Sequence, residues 1–249
     1  MVLKDKEGIV TGASHGIGRT VAIGLAAEGA KVLVNYHKSE QAAEETLSQI
    51  RNAGGTAYKF RADVSQKLDV EKMVAFALKT FGKIDFLVNN AGITVRKLVE
   101  EMSEEEWDLV HDINLKGTFL CSQAVIKPMK EQNGGRIINI TSGLALRGMV
   151  RSAHYSSAKA GVMGFTKSLS MELAPYGINV NAIAPGIMNT AFWREGKSRE
   201  EIEKIVEQSN RENVLLRTVL SPDHIIGTVL FLLTDASQAM TGQTIFLRF

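Results

Sequence analysis

The sequence predicts an α/β fold of repeated βα units around a parallel sheet, and three observations predict it. Apolar runs of four to six residues alternate with longer segments of helical period along the whole chain. Between the first such run and the first such segment stands "VTGASHGIGRT", Val10 to Thr20, with Gly12, Gly16 and Gly18 crowded into a turn. No internal repeat, low-complexity tract or proline-rich linker breaks the alternation, and the 249 residues contain only four prolines. A single domain over 1–249 follows.

Taken in order, a strand is expected near 8–12 and a helix near 16–29, opened by the glycine turn. "KVLVNY" marks a strand at 31–36, followed by a helix at 39–53, a strand at 56–62 and a helix at 67–80. A strand at 84–90 precedes a long helix at 103–131. Ser103 and Glu106 form a capping box that fixes its start, and the acidic run Glu104 to Glu106 reads as a solvated first turn. "RIINITS" ends a strand at 135–142. A helix at 152–175, a strand at 179–184, helices at 199–209 and 222–234 and a strand at 243–247 complete the chain.

Composition narrows the function. The formal charge is +2, from 29 basic and 27 acidic residues, with no block of five or more like charges, so no nucleic-acid partner is expected. The one cysteine, Cys121, sits in an apolar helical stretch and reads as buried and inert, in keeping with a reducing compartment. "MVLKDKEGIV" has no signal-peptide pattern, and no apolar run approaches the roughly 18 residues that span a bilayer. A cytoplasmic protein with no membrane segment is expected. The histidines His15, His37, His111, His154 and His224 lack metal-ligand spacing, so no metal site is expected.

Glycines at a strand-to-helix turn bring backbone close to a pyrophosphate, and the helix N-terminus supplies unpaired N–H groups. A dinucleotide is therefore the natural ligand of the opening turn, although its spacing, Gly-x-x-x-Gly-x-Gly, is not the commoner Gly-x-Gly-x-x-Gly. A second segment, "HYSSAKAG", sets Tyr155 and Lys159 four apart on one helical face. A neighbouring cation favours tyrosinate, which lets such a tyrosine exchange protons near neutral pH. Ser142 closes the 135–142 strand at its carboxyl end, where ligands bind in open α/β sheets, and can hydrogen-bond a carbonyl oxygen.

At these residues the chain resembles the short-chain dehydrogenase/reductase family over nearly its whole length, closest in motifs to 3-oxoacyl-[acyl-carrier-protein] reductases. The matching motifs are "TGASHGIG" at 11–18, Asp63, "NNAG" at 89–92, Asn114, Ser142, Tyr155 with Lys159, and "PG" at 185–186. The resemblance implies a single-domain Rossmann fold: a doubly wound, seven-stranded parallel sheet of order 3-2-1-4-5-6-7 flanked by helices. It implies hydride transfer with Tyr155 as general acid in reduction, Lys159 on the nicotinamide ribose, Ser142 on the substrate oxygen and Asn114 holding a water of the proton relay. It places the cofactor against Gly12, Ser14, His15, Gly16, Ile17, Gly18, Asp63, Val64, Asn90, Ala91, Gly92, Pro185, Gly186 and Thr190. It also implies a homotetramer built on the helices near 103–131 and 152–175, and a lid at about 187–212 that closes over substrate.

The 31–36 strand ends in Asn35, Tyr36, His37 and Lys38, with no carboxylate before Glu40, where an NAD-preferring fold carries Asp or Glu. NADP(H) is therefore expected, with Asn35 facing the ribose and Lys38, helped by His15 and Arg19, approaching a 2′-phosphate. Leu144, Met149 and Trp193 are expected to wall an apolar substrate pocket, with Phe192 beside them. The substrate is then a 3-oxoacyl thioester, with an acyl carrier protein as the candidate partner; sugar or secondary-alcohol oxidation and a non-catalytic dinucleotide-binding regulator are the alternatives. Met171 stands where such reductases carry an arginine that meets the carrier, and Lys127, Lys130 and Arg136 are the candidates to compensate. Glu7 and Gly8 also depart from the family, which has apolar residues at the start of the first strand, as does the absence of an Asp-Gly-Gly tail after "TIFLRF".

Overall fold

The computed structural model describes residues 1–190, 192, 194, 198–212 and 220–247, with 208–212 as backbone. Seven parallel strands form one sheet in the order β3-β2-β1-β4-β5-β6-β7, as expected. They are β1 (Glu7–Val10), β2 (Lys31–Tyr36), β3 (Thr56–Arg61), β4 (Phe86–Asn89), β5 (Gly135–Ile140), β6 (Ile178–Pro185) and β7 (Thr244–Leu247). The helices are α1 (Gly16–Ala27), α2 (Glu40–Asn52), α3 (Lys67–Phe81), α4 (Glu104–His111), α5 (Gly117–Glu131), α6 (Leu144–Arg147), α7 (Ala153–Leu173), α8 (Arg199–Glu212) and α9 (Ile226–Leu233).

Helices cover both faces, so the central strands are buried on both sides and read as continuous apolar runs. Val21, Leu25, Leu47, Ile50, Val229 and Leu232 from α1, α2 and α9 pack on one face. Met73, Val74, Val125, Met129, Leu169 and Leu173 from α3, α5 and α7 pack on the other. Cys121 lies in this second core, where burial pushes its thiol up to about 12, so it is an inert packing residue.

The unusual start of β1 is explained by β4. Gly8 pairs with Phe86, and a Cβ on Gly8 would lie 2.4 Å from the Phe86 ring, so the missing side chain makes room for the large one. Glu7 is buried but its Oε1 meets Lys31 Nζ at 2.7 Å, which offsets the desolvation of the carboxylate.

One expectation needs correction. The helix at 103–131 begins at the capping box, with Ser103 Oγ accepting from Glu106 N at 3.2 Å, but it is not one regular helix. Residues Asp112–Lys116 form a π-helical turn between α4 and α5. Such a turn widens the backbone ring by one residue, and here it sets Asn114 inward, fully buried. The helices expected at 152–175 and 222–234 likewise each contain a 3-10 turn, at Ala174–Tyr176 and Pro222–Ile225.

Candidate active site

Strand order reverses between β1 and β4, and a crevice opens there at the carboxyl ends of the strands. The glycine turn borders it. Gly12 and Gly16 have φ of +60° and +52°, a region that side chains disfavour. A Cβ on Gly12 would lie 2.8 Å from Ala91 Cα, and one on Gly18 would lie 2.4 Å from Asn90 Nδ2. The turn is further tied to the segment after β4: Thr11 Oγ1 accepts from the amides of Asn90 (2.9 Å) and Ala91 (3.0 Å), and Asn90 Nδ2 donates to Thr11 O and Gly12 O. The residue before α1, His15, makes no side-chain cap, and the first turn holds no acid. Unpaired amides and the positive dipole end therefore face the crevice. The glycine cradle and the open helix end fit a dinucleotide pyrophosphate.

Asn35 does not face a ribose, contrary to expectation. It is buried, its Oδ1 accepts from Gly12 N at 3.0 Å, and its Nδ2 donates to Ala62 O at 3.1 Å and Tyr36 O at 3.3 Å. It is a brace that holds the glycine turn to β2 and β3, and a carboxylate there would face those two carbonyls. Arg19 is likewise engaged, donating to Ser14 O and Ala42 O at 2.9 Å and pairing with Glu45. The exposed groups at the end of β2 are His37 and Lys38. His37 Nε2 lies 3.8 Å from Asp63 Oδ2. Burial acts to raise the Asp63 carboxyl, but hydrogen bonds from Ser65 and the nearby His37 and Lys38 outweigh it and hold the group below its ordinary value. Glu40 turns away to pair with Lys59 at 2.9 Å. Val64 is buried, with Gly117 giving it room.

Across the crevice, Ser142 follows β5 and meets α7. Tyr155 and Ser142 share a hydrogen bond between their side chains, and both are almost fully buried. Lys159 is also buried and donates to Ile140 O at 2.8 Å; its Nζ is 5.8 Å from the Tyr155 ring centre. Burial therefore dominates both groups. It pushes the Tyr155 phenol up to about 12, against the pull of the Ser142 hydrogen bond, and brings Lys159 down to about 8. The expected lowering of the tyrosine by its neighbouring cation is absent, because Lys159 is turned to a backbone carbonyl. Asn114 donates to Ile93 O (2.9 Å) and Val110 O (2.8 Å), while its buried Oδ1 has no protein partner. A Cβ on Gly92 would sit 2.5 Å from that oxygen and 3.5 Å from Lys159 Nζ. Gly92 thus lets Asn114 and Lys159 approach the same space.

The 185–190 segment closes the crevice from above. Gly143 N donates to Pro185 O at 3.2 Å, Gly186 N to Leu247 O at 2.9 Å, and Thr190 comes 3.5 Å from the position of a Gly16 Cβ. Phe192 stands over the tyrosine, ring centres 6.0 Å apart. Trp193 lies outside the described residues. Leu144 is partly buried beside Ser142, whereas Met149 is exposed on the loop to α7. Arg136 begins β5, at the end of the sheet opposite Ser142 and roughly 20 Å of strand away. Lys127 and Lys130 end α5, and Lys130 is held over the Tyr176 ring at 3.8 Å. Sequence reasoning placed His37 at the end of the strand without its contact to Asp63, and gave Phe192 second place to Trp193.

Among the described residues no group of side chains could hold a metal ion, and no helix is long and apolar enough to cross a membrane. Residues 6–201 match the short chain dehydrogenase family model. The 3-oxoacyl-[acyl-carrier-protein] reductase of a Synechocystis species is 44% identical over 241 residues, 95% of this chain and 92% of that protein. The enzyme of the same name from Staphylococcus epidermidis is 41% identical over 97% of this chain and 96% of its own. A short-chain type dehydrogenase/reductase from Mycobacterium marinum superimposes with a TM-score of 0.89 at 33% identity, covering 98% of this chain and 94% of that one. With the dinucleotide cradle and the serine, tyrosine and lysine gathered at one crevice, these matches make the chain an oxidoreductase that belongs to the short-chain dehydrogenase family.

Proposed function

We propose that the protein is an NADPH-dependent reductase of 3-oxoacyl thioesters. The observation that carries the reading is the Tyr155 hydroxyl, paired with Ser142 at the carboxyl end of β5 and held protonated by burial. A reductase needs a proton donor at that point, and the phenol carries its proton throughout the physiological range. Bound reduced nicotinamide supplies the hydride. Tyr155 gives its proton to the carbonyl oxygen, Ser142 hydrogen-bonds that oxygen, and Lys159 holds the nicotinamide ribose and the tyrosine in place. Asn114 offers its free Oδ1 to a water that returns the proton.

The glycine turn, with Ser14, His15 and Ile17, takes the pyrophosphate. Asp63 and Val64 take the adenine; Asn90, Ala91 and Gly92 take the adenine-side ribose; Pro185, Gly186 and Thr190 close over the nicotinamide. Lys38, exposed at the end of β2 where no carboxylate of that strand end faces the ribose because Glu40 is paired with Lys59, supports NADP(H) over NAD(H). The thioester follows from the names of the relatives and from Leu146 and Val150, 59% and 73% exposed at the mouth, which suit an acyl chain. The 187–212 segment is the lid of the single 1–249 domain. Leu109 on α4 and Phe119 on α5, both exposed, support a homotetramer built on that face.

Absorbance at 340 nm tests the reading, with NADPH or NADH and an acetoacetyl thioester. Fast oxidation of NADPH is expected, and Tyr155→Phe should lower kcat by about 10²- to 10⁴-fold while still binding cofactor. Silence on the thioester with oxidation of sugars or alcohols would move the assignment to a dehydrogenase. Unchanged turnover in Tyr155→Phe would refute the acid role.

A further inference from the structure

The end of β5 is bonded to α7 residue by residue. Asn139 Nδ2 donates to Thr166 Oγ1 at 2.9 Å, Lys159 Nζ donates to Ile140 O at 2.8 Å, Thr141 Oγ1 donates to Lys159 O at 2.7 Å, and Ser142 shares its bond with Tyr155. As the strand advances from 139 to 142, the partners step back along α7 from Thr166 to Tyr155. Ile140, Thr141 and Ser142 therefore all hold the one helical turn that runs from Tyr155 to Lys159. Two of these three bonds use side chains that the proposed reaction engages: the Ser142 and Tyr155 hydroxyls turn to the substrate oxygen, and the Lys159 amine turns to the ribose. The Thr141 bond uses none of them. Among the described residues it is the one hydrogen bond between this strand end and that turn made without a reacting side chain. It is also buried, with Thr141 3% exposed, and its donor is held on both sides: the branched side chain has few rotamers, and Thr141 N donates to Ile183 O of β6 at 2.8 Å. Lys159 O lies within α7, so it already accepts the helix amide four residues on. The carbonyl does not need the hydroxyl to be satisfied, and what the extra bond decides is where this turn sits against the strand.

We propose that Thr141 is a positioning residue whose hydroxyl fixes the Tyr155 to Lys159 turn of α7 against the strand end that carries Ser142. The inference rests on reading Ser142, Tyr155 and Lys159 as the reacting groups. When their own bonds pass to substrate and cofactor, the Ser142 contact with Tyr155 and the Lys159 contact with Ile140 are drawn on, while the Thr141 bond persists and keeps the three groups in register. The Asn139 bond lies farther down α7, at Thr166, and holds the helix below the site. Serine and tyrosine must approach one oxygen together, so a small slip between β5 and α7 at this level separates them and leaves each side chain intact.

The test compares the wild-type enzyme with Thr141→Val, which keeps the shape of the side chain without its hydroxyl, and Thr141→Ser, which keeps the hydroxyl. With NADPH and an acetoacetyl thioester, kcat and kcat/KM of Thr141→Val should fall together by about 10- to 100-fold, the loss expected of a misplacement on the order of 1 Å. Its NADPH affinity, read by fluorescence titration, should stay within about twofold of the wild type, because the glycine cradle is untouched. Thr141→Ser should recover kcat to within about threefold of the wild type, since the donor is restored. A threonine that only stabilised the fold would lower the melting temperature and leave the kcat of the folded enzyme alone. A Thr141→Val enzyme with the wild-type kcat, or a Thr141→Ser enzyme as slow as Thr141→Val, would overturn the proposal. If Thr141→Val fails to fold, Thr141→Ala takes its place: an alanine variant slower than the serine variant supports the positioning role, and equal kcat in the two overturns it. The catalytic reading fails separately, if Tyr155→Phe retains its turnover.

Discussion

The two sides of the crevice are built differently. On the cofactor side the backbone is over-determined: Thr11 accepts from the amides of Asn90 and Ala91, Asn90 donates to Thr11 O and Gly12 O, Asn35 accepts from Gly12 N and Ala13 N, and a Cβ on Gly12 or Gly18 would collide. On the substrate side, the loop from Gly148 to Ser152 is exposed except at its end, carries Arg151 in the left-handed region at φ +64°, and holds apolar side chains in solvent. The difference teaches that one half has its backbone fixed in advance, whereas the other leaves apolar side chains uncovered, as the proposed acyl substrate requires.

The largest break in this contrast should come from Gly18→Ala. Its Cβ would press on Asn90 Nδ2 and Gly12 O at 2.4 Å, so the cradle itself must shift. Overpacking of this kind costs about 1–3 kcal/mol, and a fall in Tm of roughly 2–10 °C should accompany at least a tenfold weaker NADPH affinity. Calorimetry and fluorescence titration measure the two; a stable variant with native affinity would show that the cradle is looser than its contacts imply.

A smaller effect should appear at the boundary between the halves. Burial brings Lys159 down to about 8 and pushes Tyr155 up to about 12, so below pH 8 the lysine is charged and the tyrosine protonated, the pair that the proposed reduction requires. In the reductive direction, kcat/KM for NADPH, which reports the free enzyme, should be level below pH 8 and fall as Lys159 loses its proton above it. A rising limb across that range would reverse the assignment. The smallest effect belongs to Leu146→Ser. The side chain is largely exposed, so stability should change by no more than about 0.5 kcal/mol, while the KM of a long-chain 3-oxoacyl thioester should rise about three- to fivefold. Equal kinetics on short and long chains would leave Leu146 out of the acyl path.

How much of this was legible in the sequence follows the same division. The strands were readable from apolar runs, most plainly where both faces are buried as in β1, β4 and β6, while their order in the sheet came from the family resemblance and not from the runs. The glycine turn was readable for a similar reason, since a backbone contact admits only one residue type. Asn35 was placed correctly along the chain but not in space: a position at the end of β2 does not say whether the amide turns toward a ribose or back to Gly12. Lys159 shows the same limit, because its distance from Tyr155 along the helix is fixed while the carbonyl of Ile140, on another element, captures its amine. The π turn went unread, since a slip of one residue between two helical stretches is too small to mark in an apolar stripe of this length.

That turn gives the helix from Ser103 to Glu131 one residue more than a regular spiral would use between the same two ends. Removing one residue from 112–116 would leave the capping box and the buried stripe of α5 in register, and the shortened protein should fold. It would lose the inward asparagine. The segment is therefore expected to tolerate exchange of its outward side chains far better than any change in its number of residues, so that insertions and deletions, rather than substitutions, mark where the reaction constrains this helix.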